Sequence, residues 1–230
     1  MKPHVICHMV SSVDGRILGR RWRPRASGFG AVFERLHDEI GCDAWLVGRV
    51  TGGEFARGQG YPPAEGRLPR ENHFVRRDAP AYGVVLDAHG KIAWGRSDIG
   101  GDPIVTVLTR AVSDAHLAGL QADGVSYVFA GDEALDLAET LELLNRELGV
   151  RRLLLEGGGI VNGAFLRAGL VDELSLVVCP MVDGAKGAPC VFDSTEAEAG
   201  AAAPVRAMQL LSCQPLDGGA LWLRYSVENE

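Results

Sequence analysis

The sequence predicts an α/β protein with a mostly parallel central sheet, helices on both faces and an antiparallel hairpin at its C-terminal end. Three observations predict it. Short apolar runs alternate with stretches of helical periodicity, the pattern that crossover connections impose on parallel strands. Several runs are apolar at consecutive positions, as in Val5-Ile6-Cys7 and Leu153-Leu154-Leu155, which suits strands covered on both faces. The last two runs, Val205–Cys213 and Leu221–Val227, flank Asp217-Gly218-Gly219, a hairpin signal.

Taken in order, the first strand is read at Pro3–Val10, and Ser11-Ser12-Val13-Asp14-Gly15 breaks it. A helix follows from Ser27, with Phe29, Val32, Phe33, Leu36 and Ile40 at helical spacing and Gly41 as its stop. Ala44–Gly48 is a short strand, after which Thr51 is placed to cap another helix. Residues 57–80, punctuated by Gly and Pro and rich in charge, read as loop. Tyr82–Leu86, Ile104–Leu108 and Val125–Phe129 are strands, and between Ala134 and Leu148 the apolar set follows a 3.6-residue period. Arg152–Glu156 is a strand, Ile160–Ala168 a helix and Leu174–Cys179 a strand. No linker or repeat demands a division, so one domain over residues 1–230 is expected.

Charge and composition exclude several function classes. With 23 basic and 30 acidic side chains the net charge is −7, the opposite sign to a nucleic-acid binder. No apolar run approaches the roughly 18 residues that span a bilayer, and the N-terminal segment is too short in apolar residues for a signal peptide. A cytoplasmic protein with no nucleic-acid or membrane partner is expected. The chain is 47% hydrophobic and 23% charged, too apolar for disorder. Its five cysteines form no CxxC pair and its six histidines have no metal-ligand spacing, so no metal site is expected. Cys7 and His8 are neighbours, but on a strand they point to opposite faces.

Ligands of open parallel sheets gather at the carboxyl ends of the strands, and three strand exits carry chemistry. In Leu155-Glu156-Gly157-Gly158-Gly159-Ile160-Val161-Asn162 a strand leads through three glycines directly into a helix. Glycines admit a ligand close to the backbone and the helix N-terminus adds partial positive charge, the ingredients of a diphosphate site; a plain glycine-rich turn is the other reading. Gly48-Arg49-Val50-Thr51 offers a close approach, a guanidinium suited to phosphate and a hydroxyl, or a surface arginine beside an ordinary cap. Ser12-Val13-Asp14-Gly15-Arg16 sends a carboxylate out on a tight turn, or satisfies its own backbone. Arg16, Arg20, Arg21, Arg23 and Arg25 then form a solvated loop or an anion-binding lid. GxSxG and Ser/His/Asp groupings are absent, so hydride transfer from a bound cofactor, which needs no covalent nucleophile, is the economical hypothesis.

As an ordered set these exits resemble the dihydrofolate-reductase-like fold, and more closely the C-terminal reductase domain of the bifunctional riboflavin-biosynthesis deaminase/reductase. The resemblance rests on Ser-Ser-Val-Asp-Gly-Arg near the start, Leu-Val-Gly-Arg-Val-Thr at 46–51, Glu-Gly-Gly-Gly-Ile-Val-Asn-Gly-Ala-Phe-Leu at 156–166, Leu-Val-Asp-Glu-Leu at 170–174, and Pro180 with the loop after it. It implies NADPH as cofactor. Val10 would line the nicotinamide end, Thr51 would contact the diphosphate, Gly158, Gly159, Ile160 and Val161 would cradle it, and Gly48 and Gly157 are expected to touch the cofactor. Arg49 would face the adenosine 2′-phosphate. A cis Gly157–Gly158 bond is also implied. Asp14 and Glu156 would serve the substrate and proton transfer, with Arg21 and Arg23 as substitute anion ligands. The implied reaction is hydride transfer to a ribosylaminopyrimidine phosphate in riboflavin biosynthesis, by a homodimer. A pteridine or dihydrofolate-type reductase and a non-catalytic nucleotide-binding protein are the alternatives. Two departures bear on the substrate: Phe55 stands where the family usually has Asp, and Glu39 where it commonly has a substrate-binding arginine.

Overall fold

The computed structural model describes residues 1–25, 28–63 and 66–230. In chain order its elements are β1 (His4–Ser12), α1 (Phe29–Ile40), β2 (Ala44–Gly48), α2 (Arg49–Phe55), β3 (Tyr82–Leu86), β4 (Asp98–Ile99), β5 (Asp102–Leu108), α3 (Asp114–Ala122), β6 (Ser126–Phe129), α4 (Leu137–Leu148), β7 (Arg152–Leu155), α5 (Gly159–Arg167), β8 (Glu173–Cys179), β9 (Val205–Pro215) and β10 (Leu221–Asn229). The expected helix start at Ser27 lies outside the described residues; α1 is described from Phe29. The chain divides into two units, Met1–Pro3 with Asp43–Leu153, and His4–Cys42 with Leu154–Glu230.

In the first unit β2, β3, β5 and β6 are parallel neighbours, and only the two-residue β4 runs antiparallel, against β5. β2 and β3 are buried at every position, which explains their unbroken apolar character. Trp94, wholly buried, donates its indole N–H to Thr106 Oγ1 at 3.1 Å, so this large core side chain leaves no orphan donor. Buried Asp87 accepts the backbone N–H groups of Lys91 and Ile92 at 2.7 and 2.8 Å and fixes the turn after β3. α4 is capped by Asp136, whose side chain accepts from Glu139 N, and ends on Gly149 at φ 71°. α3 was not foreseen. Ser113 caps it, but its face is interrupted by His116 and Gly119, and a nine-residue helix holds too few apolar residues to show a period. Thr51 does not cap α2: the helix starts at Arg49 with Gly48 as its N-cap, because the β2 backbone turns directly into it, and Thr51 sits inside the first turn.

In the second unit the order is β1-β8-β10-β9. β1 pairs β8 in parallel, from Ile6 opposite Glu173 to Ser12 opposite Cys179, whereas β8–β10 and β10–β9 are antiparallel. β1 therefore runs two residues beyond the expected break, because Ser11 and Ser12 are buried ladder residues. α1 brings Phe29, Val32, Leu36 and Ile40 into a core with Trp22, Val177, Cys179, Met181 and Trp222. Ser175 on β8 receives the Trp222 indole N–H at 2.8 Å and meets His8 Nδ1 at 3.0 Å. Burial lowers the His8 imidazole to about 4, so it is neutral where it stacks on Phe33 at 4.5 Å between ring centroids. α5 packs tightly because it begins with small residues: a Cβ on Gly159 would overlap the Cys190 carbonyl oxygen, and one on Gly163 the Asp193 carbonyl oxygen.

Gly163→Ala is therefore expected to destabilise the protein by about 1–3 kcal/mol, the usual cost of overpacking. Gly30→Ala on α1, where a Cβ meets open space, leaves stability unchanged or raises it by less than about 1 kcal/mol. Calorimetric melting of the two variants checks both.

Candidate functional site

Two strand exits of the second unit carry the expected carboxylates. After β1, the Asp14 carboxylate accepts the Ser12 hydroxyl at 2.6 Å and the backbone N–H groups of Asp183 and Gly184 at 3.1 and 2.8 Å. Neighbouring backbone bonds, Val13 N to Met181 O and Val191 N to Gly15 O, join the same two segments. The Ser12 hydroxyl and then these amides hold the Asp14 carboxyl down at about 2. It is a permanently ionised acceptor at neutral pH, and an acid of that strength is not a useful proton donor there. A second carboxylate stands in a different environment.

That carboxylate is Glu156, directly after β7. Its side chain is 9% exposed, and Oε1 lies 2.8 Å from Nδ1 of His37 on α1, itself 21% exposed. The second imidazole nitrogen, Nε2, faces Cys42 Sγ at 4.0 Å. Cys42 on one nitrogen and Glu156 on the other lift His37 to about 10, while burial pushes the Glu156 carboxyl up and the imidazole works against that push. The two shifts meet in one hydrogen bond, across which the imidazole is drawn towards its cationic form. His37 was not singled out from the sequence. The available signal was a titratable residue four positions after Phe33, on the core-facing side of α1.

The glycines after Glu156 behave differently from one another. Gly157 and Gly159 are buried and Gly158 turns the chain at φ 61° as the N-cap of α5. The only cis peptide among the described residues is Arg23–Pro24, so Gly157–Gly158 is trans. The left-handed conformation of Gly158 makes the turn without the roughly 3 kcal/mol of a non-proline cis bond. Gly159 is small for its contact with Cys190. No side chain caps α5, Ile160 is 52% exposed and Val161 half-buried, so the first-turn amides are presented without an internal anion. Val10 is half-buried at the β1 position opposite Val177.

The arginine-rich segment is anchored rather than loose, because Trp22 within it is a core residue at 5% exposure. Arg21 grips Asp183 through Nε and Nη2 at 2.9 and 3.1 Å. Arg23 donates to the Trp22 and Arg21 carbonyls at 2.8 and 3.3 Å, and Arg16 to the Ala188 carbonyl at 2.5 Å. Three of the five guanidinium groups thus hold their own chain together. In the first unit Gly48 is buried, Arg49 is exposed and Thr51 is half-buried at the start of α2, which also lacks a side-chain cap. Among the described residues no group of His, Cys, Asp and Glu is arranged to hold a metal ion, and no helix is long and apolar enough to cross a membrane.

Asp14 and His37 give stability opposite pH dependences. The Asp14 value is lowered on folding, so its contribution is present above about 3.8 and lost as pH falls through about 2. That of His37 is raised, so its contribution is complete below 6.5 and lost as pH rises through about 10. In denaturant unfolding, the stability gap between wild type and Asp14→Asn should close between pH 4 and pH 2, and a gap that stays constant would remove the assignment.

Comparison with known proteins places these features in a family. The RibD C-terminal domain pattern matches residues 3–222. A 2,5-diamino-6-ribosylamino-4(3H)-pyrimidinone 5′-phosphate reductase of Methanothermobacter thermautotrophicus is 28% identical over 203 residues, covering 84% of this chain and 85% of that one. The protein of the same description from Archaeoglobus fulgidus is 25% identical over 197 residues, covering 84% and 87%. Among solved structures, a pyrimidine reductase-like protein of Corynebacterium diphtheriae superposes with a TM-score of 0.70 at 18% identity, covering 99% of this chain and 93% of that one. Acinetobacter baumannii RibD gives a TM-score of 0.65 at 21% identity, and this chain spans 58% of its length. At such identities the structural likeness speaks for the fold, while the sequence match over nearly the whole length decides membership: this chain belongs to the RibD C-terminal domain family.

Proposed function

We propose that the protein is an NADPH-dependent reductase that delivers hydride to a ribosylaminopyrimidine phosphate, as one reductase domain over residues 1–230. The observation that carries the reading is the β7 exit, where a largely buried carboxyl group bonded to His37 stands immediately before an uncapped helix N-terminus. The curated relatives, matched over 85% and 87% of their lengths, are named as reductases of such a phosphate. The fit to the cofactor rests on the same geometry: the amides of Gly159, Ile160 and Val161 open towards an anion, and Gly158 carries no side chain over them. Val10, Gly48, Thr51 and Gly157 are the further contacts the family resemblance assigns. Exposed Arg49 is assigned the adenosine 2′-phosphate, the group that distinguishes NADPH from NADH.

The bound cofactor supplies a hydride. Hydride addition to the anomeric carbon of a ring-opened imine sends the C=N electron pair to nitrogen, where a proton is taken up, leaving a ribityl amine. Glu156 offers a carboxylate oxygen to N–H donors of the heterocycle and so orients it. Asp14 closes the segment between the β1 and β8 exits, and Arg21 and Arg23 lie in that segment as its cationic side chains. Bringing a phosphate to Arg21 would require competition with Asp183, so its part in substrate binding is tested by Arg21→Ala, expected to raise KM for the phosphorylated substrate relative to its dephosphorylated analogue.

We assign the protein to the cytoplasm, in keeping with five free cysteines, and to a homodimer. The dimer reading is supported by β9, an edge strand that exposes Met208, Leu210 and Leu211 at 46%, 56% and 54%. Sedimentation velocity should give a dimer for wild type and a monomer for Leu211→Glu.

Purified protein should oxidise NADPH with 2,5-diamino-6-ribosylamino-4(3H)-pyrimidinone 5′-phosphate. Turnover of dihydrofolate or a pterin instead would move the assignment to that class, and NADPH binding without turnover of any of them would leave a nucleotide-binding protein. Arg49→Ala is expected to raise KM for NADPH about tenfold, the loss of one charge-assisted contact, with KM for NADH within about twofold; equal effects on the two would remove the role given to Arg49.

A further inference from the structure

We infer that His37 is a positioning residue for Glu156: it holds the carboxylate by Oε1 in a site largely closed to water, and leaves Oε2 for an N–H donor of the substrate's heterocycle. The inference rests on the reading of Glu156 as a substrate-contacting carboxylate.

The argument begins with burial. A carboxylate 9% exposed has lost most of its hydration and, unaided, holds its proton into the neutral range. A protonated Glu156 would present a donor where the heterocycle's amino group also presents donors. His37 is the cationic partner that changes this, at 2.8 Å and with a geometry that uses one carboxylate oxygen only. The imidazole is bonded to Oε1, so its contact leaves Oε2 to other donors. The other titratable groups facing the pair do not supply the charge. Cys7 on β1 is wholly buried and its thiol is pushed up, by burial first and Glu156 second. His8, also on β1, is neutral, and Glu34 on α1 carries the same sign as Glu156. Cys42, beyond the end of α1, faces Nε2 and so engages the imidazole from its other side.

His37 is in turn held by α1. The helix is locked to β8 and β10 through Leu36, next to His37 in sequence and 1% exposed, together with Phe29, Val32 and Ile40. Gly41 N–H bonds the His37 carbonyl at 3.1 Å and ends the helix there. The imidazole therefore approaches Glu156 from a rigid element, and the carboxylate's orientation is set before substrate arrives.

The test uses wild type, His37→Gln, His37→Leu, Glu156→Gln and the His37→Leu/Glu156→Gln double variant, with the pyrimidinone phosphate and NADPH. His37→Leu should raise KM for the pyrimidine about tenfold at pH 6.5 with a smaller change in kcat. The acid limb of its kcat/KM profile should move up by about one pH unit or more, and KM for NADPH should stay as in wild type. His37→Gln keeps a donor without the charge and should fall between the two; its melting temperature shows whether the fold is retained. The double variant should be no worse than Glu156→Gln alone, since the histidine acts through the glutamate. A His37→Leu profile that superimposes on wild type, or losses that multiply in the double variant, would overturn the inference. NMR titration of the His37 ring gives a reading independent of activity: it should titrate well above neutrality in wild type and markedly lower in Glu156→Gln. Titration near 6.5 in wild type would also overturn the inference. A wild type that turns over no pyrimidine substrate would overturn the reductase reading and the substrate-orienting role together, with the NMR titration still deciding whether the pair exists.

Discussion

A carboxylate withdrawn from water must be compensated on the spot, and the second unit is arranged around that requirement at Glu156. The compensation comes from α1, a different element from the one carrying the charge, so the depth and rotation of that helix matter. Both are set by apolar packing: Phe29, Val32, Leu36 and Ile40 seat it against Val177, Cys179 and Trp222. The core thereby does more than stabilise. It carries an imidazole to within hydrogen-bond distance of a strand exit, and a shift of one helical position would replace that imidazole with Leu36 or Asp38.

The neighbouring exit solves a different problem. Parallel pairing of β1 with β8 places Ser12 opposite Cys179, so the chain leaves both strands side by side and two loops must coexist. Asp14 reconciles them by accepting amides from Asp183 and Gly184, and Arg21 grips Asp183 from the same segment. The two carboxylates at the two exits consequently have opposite characters. Asp14 is held by a hydroxyl and two backbone amides and stays ionised at any ordinary pH; Glu156 is held through Oε1 by an imidazole.

Much of this was legible in the sequence because it rests on local signals. Consecutive apolar residues marked the buried strands, Asp217-Gly218-Gly219 marked the hairpin, and three glycines after Glu156 marked a helix start. Contacts between residues remote in sequence were not legible. The Glu156–His37 bond joins positions 119 apart and the Asp14 bond to Gly184 positions 170 apart, and no spacing rule reports either. Arg21 read as a free cation for the same reason: its partner lies 162 residues away. Gly159 looked like a ligand contact from its motif, whereas its lack of a side chain also answers to a carbonyl of the Cys190 segment. α3 escaped because a short helix with a glycine and a buried histidine has no clear period, and Thr51 was misplaced by one turn because a strand can pass into a helix with glycine as the cap.

The register of β1 against β8 also has a consequence for biosynthesis. β1 precedes the other described elements in the chain and is buried at nearly every position, yet β8, one of its neighbours in the sheet, is not complete until residue 179. Residues 43–153, which form one unit with only the first three residues added, can collapse on local contacts while β1 still lacks β8. An apolar strand with one edge unpaired until residue 179 is an aggregation hazard during synthesis. Slow elongation or truncation within the final third of the chain should therefore tax chaperones more than a change of equal size inside residues 43–153.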